Sequence, residues 1–115
     1  MRRPHPAGRF LIPVPKARLA EYQQMSVQFA DMLRAGGATG YVEYIGDDVP
    51  MGEMTSFPRA VQAKDDEVIA IGWATYPNKG VRDAANEKMR SDPNMANMEM
   101  PFDGKRMIFG GFREA

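Results

Sequence analysis

The run VIAIGWATY at residues 68–76 is the most apolar stretch of the chain, and the predicted fold is built around it. Its valine, isoleucine, tryptophan and tyrosine content, with turn residues nearby, favours a central β-strand over a short helix. Apolar side chains occupy both alternations of this strand, Ile69, Ile71 and Trp73 in one set and Val68, Ala70 and Tyr76 in the other. Because successive strand residues point to opposite faces, we expect both faces of the sheet to be covered.

The chain that follows this strand predicts a helix and a last strand. Asn78 can cap a helix that ends at Asp92-Pro93, because an asparagine side chain accepts a hydrogen bond from the first turn and the residue before proline disfavours helical backbone. The predicted apolar side of this helix carries Val81, Ala84, Ala85 and Met89. Residues 105–112, entered through the Asp103-Gly104 turn, predict the final strand.

The chain that precedes the central strand predicts two further strands and a longer helix. Residues 10–15 predict the first strand, and residues 41–45, between glycines, predict the second. Residues 1–8 are expected to form a flexible arm. Between strands two and three, regular patterning stops, and residues 57–61 could be extended again. The helix is predicted by apolar residues at spacings of three and four, ended by Gly36-Gly37: Leu19, Tyr22, Met25, Phe29, Met32 and Leu33.

The order β, α, β, β, α, β predicts an α+β fold of the ferredoxin-like type, with an antiparallel sheet and two helices on one face. The 115 residues fit a single domain, 1–115. Helices on one face leave the other face of the sheet uncovered, although strand three is apolar on both sides. A second copy of the chain, packed as an isologous homodimer, would cover it.

Composition excludes several classes of function. Fifteen basic residues balance fifteen acidic ones, and this zero net charge argues against nucleic acid or a membrane surface as a partner. The chain has no cysteine, which excludes disulfides, thiolate nucleophiles and thiolate metal sites. No apolar segment approaches the roughly 20 residues that span a bilayer, and the start lacks the apolar core of a signal peptide. We therefore expect a cytoplasmic protein.

Several short segments are similar to those of a known family. They are PVPK (13–16), DVP with Gly52 (48–52), Ala60-Val61, YP (76–77), VRDAAN (81–86), SDP (91–93), and MPFDGKRMI with GGF (100–112). From about Phe10 to Phe112 the chain resembles the YbaA-like family of uncharacterised bacterial proteins, domain of unknown function 1428. The resemblance implies a ferredoxin-like fold of the dimeric alpha-beta barrel type, in which two sheets face each other across a homodimer. It implies no established activity.

The residue inventory excludes the common catalytic and metal centres. His5 is the only histidine, so one chain cannot form a Ser-His-Asp triad or a multi-histidine metal site. No Gly-rich phosphate loop or dinucleotide fingerprint is present, and no cofactor or metal is predicted. A thioether site for Cu(I) is the alternative to the more usual role of methionine as core and interface filler, which is favoured. The methionines concerned are Met51, Met54, Met95, Met98 and Met100.

Five residues form the candidate ligand-binding set: Tyr44, Asp48, Arg59, Trp73 and Arg106. Aromatic walls with few polar groups are typical of a small-molecule pocket, and the two arginines could clamp a carboxylate. In the alternative interpretation the aromatics belong to a core or interface, and both arginines pair with acidic residues across the dimer. Asp48, next to Asp47 and before Val-Pro, is also typical of a turn.

Three functions therefore stay open. The first is a homodimer that binds a small molecule between the open sheet face and the 47–60 loop. The second is a cofactor-independent oxygenase or isomerase, which would need a base, Asp48 or Glu43, with a raised pKa in a desolvated pocket. The third is a structural or interaction module with a solidly packed barrel. No catalytic residue is assigned.

Overall fold

The structure, a computed structural model, describes residues 6–93 and 99–115 and forms one four-stranded sheet with helices. The strands are β1 (Pro6–Pro15), β2 (Gly40–Ile45), β3 (Glu67–Thr75) and β4 (Ile108–Arg113); the helices are α1 (Leu19–Ala35), α2 (Phe57–Ala60) and α3 (Lys79–Ser91). The sheet order is β2-β3-β1-β4, and every neighbouring pair is antiparallel. The predicted α+β, ferredoxin-like fold is confirmed. Within the described ranges no helix has both the length and the apolar character needed to cross a membrane.

The first strand is longer than the sequence predicted. It begins at Pro6, so residues 6–8, expected in a flexible arm, are part of the sheet. The reason is that Ala7 pairs with Thr75 of β3 on one side and with Phe112 of β4 on the other, which buries it. Strand β4 pairs with β1 only as far as Leu11. Pro13 and Pro15 therefore lie where β1 has no partner on that side and no donor is missed.

Helices α1 and α3 pack on one face of the sheet. Two buried clusters form there: Ile12, Val14, Tyr22 and Ala70, and Leu33, Ala74, Tyr76 and Ala85. The predicted cap of α3 is present, since the Asn78 side chain accepts a hydrogen bond from the Val81 amide at 2.9 Å. The even-numbered residues of β1 and β3 therefore face the helices, and the odd-numbered residues face the opposite side of the sheet.

The opposite face is covered only at one end. We call it the open face, and its described apolar residues are Leu11, Val42, Tyr44, Ile71, Trp73, Ile108 and Phe112. Pro13 and Ile69 pair at the covered end, where α2 contacts β3, and both are buried. Elsewhere on this face Tyr44 is 56% exposed and Phe112 is 52% exposed, whereas Leu11, Val42, Ile71 and Trp73 are half-buried.

Two connections differ from their sequence predictions. Residues 57–60 form the short helix α2 instead of an extended segment, because the Ser56 side chain caps it by accepting from the Arg59 amide at 3.1 Å. The last strand begins at Ile108, not at residue 105. The Asp103 carboxylate accepts from the Lys105 amide at 3.0 Å, and this bond holds residues 104–106 in a 3-10 turn.

Candidate functional site

A cavity of about 200 Å³ lies between the helix-covered face of the sheet and α1, and it is lined largely by aromatic and methionine side chains. The lining aromatics are Phe10, Tyr22, Phe29, Tyr41 and Phe102; the methionines are Met25, Met32, Met89, Met100 and Met107. Glu43, on β2, also lines it. An apolar concavity with few polar groups is the usual form of a small-molecule site.

Aromatic contacts fix one wall of the cavity. The Phe29 ring lies edge-on to both Phe10, at 6.2 Å between centroids, and Tyr41, at 5.7 Å. Tyr22 and Phe102 form a third edge-on pair at 5.8 Å. Edge-to-face contacts of this kind stabilise ring orientations beyond simple burial. The wall is therefore held in place before any ligand binds.

A glycine lets the wall approach Glu43. Glu43, Gly72 and Phe10 occupy one row across β2, β3 and β1. A Cβ atom built on Gly72 would lie 2.2 Å from Cζ of Phe10, which shows that the Phe10 ring occupies the space above Gly72. The ring therefore reaches across β3 towards the strand that carries Glu43.

Glu43 is held by two phenols. The Tyr22 hydroxyl donates to Oε1 of Glu43, and the Tyr41 hydroxyl donates to Oε2 at 2.7 Å. Burial in the apolar cavity disfavours the charged carboxylate and raises the pKa of Glu43 to about 7. Burial also raises the pKa of Tyr41, which therefore keeps its proton at neutral pH. Near pH 7 the carboxyl group can thus be either a neutral acid or an anion.

The raised pKa of Glu43 predicts that the protein becomes less stable as pH rises. Unfolding returns the pKa of Glu43 to about 4.5, so the unfolded chain releases this proton first. The stability that protonated Glu43 contributes to the folded state is fully present below pH 4.5 and is lost as pH rises through about 7. Allowing for partial solvent screening, we expect a loss of about 1–2 kcal/mol in the free energy of unfolding.

The measurement is urea denaturation of the parent and of Glu43→Gln between pH 4 and pH 8. The two should differ little at pH 4, and the parent should fall relative to Glu43→Gln as pH rises. Glu87→Gln is the matched control, because the Glu87 side chain is 69% exposed on α3. Parallel pH profiles of the parent and Glu43→Gln would show that Glu43 titrates normally.

Two residues of the predicted ligand-binding set lie together on the open face. The Tyr44 and Trp73 rings are 5.3 Å apart between centroids. The guanidinium of Arg9, a residue that the sequence did not single out, lies 4.8 Å from the Trp73 ring and makes a cation–π contact. These side chains point away from the cavity around Glu43.

The other three predicted residues lie apart from both aromatics. Asp48 is exposed in the turn after β2. Arg59, in α2, binds the main chain of the preceding loop, donating to the carbonyl oxygens of Met51 at 2.9 Å and Gly52 at 3.2 Å. Arg106 donates to both carboxylate oxygens of Glu67, at 2.6 and 2.7 Å, within one subunit. None of the five lines the cavity around Glu43, and their assignment to a ligand stays a prediction.

The methionines that the sequence suggested for a Cu(I) site do not lie together where the structure describes them. Met51 and Met54 lie on the loop and are exposed, and Met100 lines the cavity. His5, Met95 and Met98 lie outside the described residues. Over residues 6–93 and 99–115, no group of three or more His, Cys, Asp or Glu side chains could hold a metal ion.

The sequence named Glu43 as a possible base but omitted it from the ligand-binding set. The alternation of side chains along β2 could have predicted its position, because Tyr41 and Glu43 point to one face of the strand and Tyr44 points to the other. Using that signal requires knowing which face the helices cover. Asp48, the other proposed base, is exposed and outside the cavity.

Comparison with known proteins gives a family without a described activity. The family model "Protein of unknown function (DUF1428)" matches residues 7–104. The uncharacterized protein YbaA of Escherichia coli strain K12 is 46% identical over 105 residues, 90% of each chain, and YbaA of Shigella flexneri gives the same values.

Solved structures show the fold alone. A dimeric ferredoxin-like protein from an uncultured marine organism superposes with a TM-score of 0.52 at 7% identity, over 96% of this chain and 92% of that one. A candidate PII-like signaling protein from Thermus thermophilus gives a TM-score of 0.50 at 12% identity, over 97% and 88% of the two chains. Both agree with the ferredoxin-like architecture.

Proposed function

This chain belongs to the DUF1428 family of proteins of unknown function, and we propose that it is a homodimer. Each subunit binds a small, largely apolar molecule in the cavity around Glu43. The observation that carries this proposal is the cavity itself. Its volume of about 200 Å³ exceeds the roughly 150 Å³ that suffices for an engineered apolar cavity to take up benzene. One aromatic ring with a short substituent fits this size.

A cavity of this size and composition favours a ligand over a packing role. Protein interiors are close-packed, and voids larger than a water molecule are few. The aromatic wall is held by edge-to-face contacts around the space instead of filling it. A structural or interaction module that acts only through its outer surface does not need a cavity beside an ionisable carboxyl group.

The chemistry of the cavity favours binding over the proposed oxygenase or isomerase. Glu43 has the raised pKa that such an enzyme needs, but a negative charge that develops on a substrate also needs a hydrogen-bond donor. Both phenols already donate to Glu43, and the Ser26 hydroxyl donates to the Gln23 carbonyl oxygen at 2.9 Å. Among the described residues around the cavity, these hydroxyl donors are therefore engaged, and the Gln28 amide on α1 is the remaining side-chain donor of the lining.

Filling the cavity tests the proposal directly. We expect benzyl alcohol to bind the parent protein and to bind Met32→Trp at least 10-fold more weakly, because Met32 lines the cavity and an indole ring there occupies the ligand's place. Isothermal titration calorimetry gives both dissociation constants. Val27→Trp is the matched control on the same helix, since Val27 is 63% exposed. Equal affinity of the parent and Met32→Trp would place the binding site elsewhere.

The open face supports the homodimer. Four strands at about 4.8 Å spacing and six residues at about 3.3 Å rise span about 19 by 20 Å. This surface is largely apolar, with Arg9 against Trp73, and its size is one that commonly marks interaction sites. Tyr44, Ile108 and Phe112 are 44–56% exposed on it. A second copy offers the same apolar surface, and two such sheets can pack face to face. The dimeric ferredoxin-like neighbour is consistent with this arrangement of the fold.

A charge on the open face should separate the subunits. We expect Tyr44→Lys to raise the dimer dissociation constant at least about 100-fold, because dimerisation would bury an ammonium group from each subunit without a partner. Sedimentation velocity over a concentration series measures it. Val27→Lys, on the exposed side of α1, should leave the dimer intact. A monomeric parent, or an unchanged constant in Tyr44→Lys, would remove the open face as the interface.

A further inference from the structure

The cavity has a single sign of charge. Among the described residues that line it, Glu43 is the one with a charged form at neutral pH, and no arginine, lysine or histidine lines it. A carboxylate in an apolar space is unfavourable unless a cation or hydrogen-bond donors compensate it. The two phenols supply hydrogen bonds but no positive charge. A ligand that brings a positive charge would complete the compensation.

Around Glu43, the hydrogen bonds engage the two phenol protons and leave acceptors free. Each phenol proton is directed to a different oxygen of Glu43, one from Tyr22 and one from Tyr41. The lone pairs of the two phenol oxygens and the remaining lone pairs of the carboxylate are then the polar features available to a ligand beside Glu43, and the Gln28 amide on α1 is a further polar group of the lining. An ammonium group, which has three donors and no acceptor, matches this set. Beside Glu43, a carboxylate or phosphate would meet acceptor oxygens and a like charge.

The apolar wall also favours a cation. Aromatic faces attract ammonium groups through the ring quadrupole, and quaternary ammonium sites are built from such rings. Phe10, Phe29 and Tyr41 form a contiguous aromatic wall, and Tyr41 lies on the same strand as Glu43. The methionine thioethers on the other sides can adapt to the hydrocarbon part of a ligand.

We infer that the ligand of this cavity is a small organic monocation, a primary amine on an aromatic ring or a short hydrocarbon, whose ammonium group pairs with Glu43 between the Tyr22 and Tyr41 hydroxyl groups. This inference rests on the proposed function and names its ligand class. A neutral ring of the same size would fill the apolar part of the cavity and leave the carboxylate without a counter-ion.

Benzylamine and benzyl alcohol, which have the same ring and linker, test the inference by isothermal titration calorimetry. At pH 8 we expect benzylamine to bind the parent at least 10-fold more tightly than benzyl alcohol. Because the amine requires the ionised form of Glu43, its affinity should fall about 30-fold between pH 8 and pH 5.5, whereas that of the alcohol should change little. Glu43→Gln should remove the preference for the amine, and Glu87→Gln should keep it.

The outcomes separate the inference from the proposed function. If benzyl alcohol binds as tightly as benzylamine at pH 8, or if Glu43→Gln keeps the preference, the cation inference is overturned while the cavity remains a binding site. If neither probe binds, both proposals are overturned. The pH dependence is measured on the parent protein alone, so a variant that fails to fold leaves the test intact.

Discussion

Gly72→Ala is expected to lower the free energy of unfolding by about 2–3 kcal/mol and to abolish binding of a ring-sized probe, because an overfilled core forces side chains and backbone to shift. The new Cβ would lie 2.2 Å from Cζ and 2.6 Å from Cε1 of Phe10, closer than real contacts allow. The edge-to-face contact with Phe29 leaves the Phe10 ring little freedom to move aside. The ring must then enter the cavity or separate β1 from β3.

Gly8→Ala is the matched control for this substitution. Gly8 also lies in the sheet, on the adjacent strand, and a Cβ atom there would meet nothing within 4 Å. Urea denaturation should therefore show a change of less than about 0.5 kcal/mol for Gly8→Ala. Binding of benzyl alcohol should be retained in the control and lost in Gly72→Ala.

A double-mutant cycle identifies Phe10 as the source of the effect. Phe10→Leu shortens the side chain above Gly72, so adding Gly72→Ala to that variant should cost at least about 1 kcal/mol less than adding it to the parent. An equal cost in both backgrounds would mean that the glycine is required for a reason other than the Phe10 ring.

The elements that the sequence predicted well are those with strong periodicity. The apolar stripe of α1 and the β-branched run of β3 gave the right type and nearly the right bounds. The weak points were short segments whose conformation depends on single side-chain bonds. Both places were predicted as strand but form helical turns. The Ser56 side chain caps α2, and the Asp103 side chain bonds the Lys105 amide in the turn before β4.

The site was harder to predict than the fold, because the side chains of adjacent residues in a strand differ completely in environment. Tyr44 and Glu43 are neighbours, yet Tyr44 lies on the open face and Glu43 lines the cavity on the other face. Only the antiparallel register, which places Glu43, Gly72 and Phe10 in one row, shows that a carboxyl group meets the aromatic wall. Hydrophobic pattern alone does not contain that register.

The partners of Arg59 and Arg106 were also beyond what the sequence could predict. Composition indicates that arginines find acidic partners, but not which ones, and Arg106 binds Glu67 across 39 residues of sequence. The two side chains are 15% and 4% exposed, so the pair is largely removed from water. Its position at the start of β3, beside the Gln62 carbonyl oxygen that Arg106 also binds at 3.0 Å, indicates a role in holding the loop to the sheet.

Arg106→Met is expected to lower the free energy of unfolding by about 2–4 kcal/mol at pH 7, because it leaves the Glu67 carboxylate buried without its counter-charge. Arg106 donates to both oxygens of Glu67 and also to Asp103 at 3.0 Å, so one substitution breaks the link between β3 and the turn before β4. Methionine keeps most of the apolar stem. Urea denaturation of Arg106→Met and of Arg90→Met measures the effect, since the Arg90–Glu87 pair is exposed and should contribute less than about 0.5 kcal/mol.

The pH dependence distinguishes a broken ion pair from lost packing. The hydrogen bonds from Arg106 hold the pKa of Glu67 below its usual 4.5, so the stability that the pair contributes is present above pH 4.5 and is lost as pH falls through the lowered pKa. The difference between the parent and Arg106→Met should therefore shrink in acid, opposite in direction to the effect of Glu43. Adding Glu67→Gln to Arg106→Met should recover part of the loss at pH 7, because the uncompensated charge is then gone. A difference that stays constant down to pH 3 would assign Arg106 to packing alone.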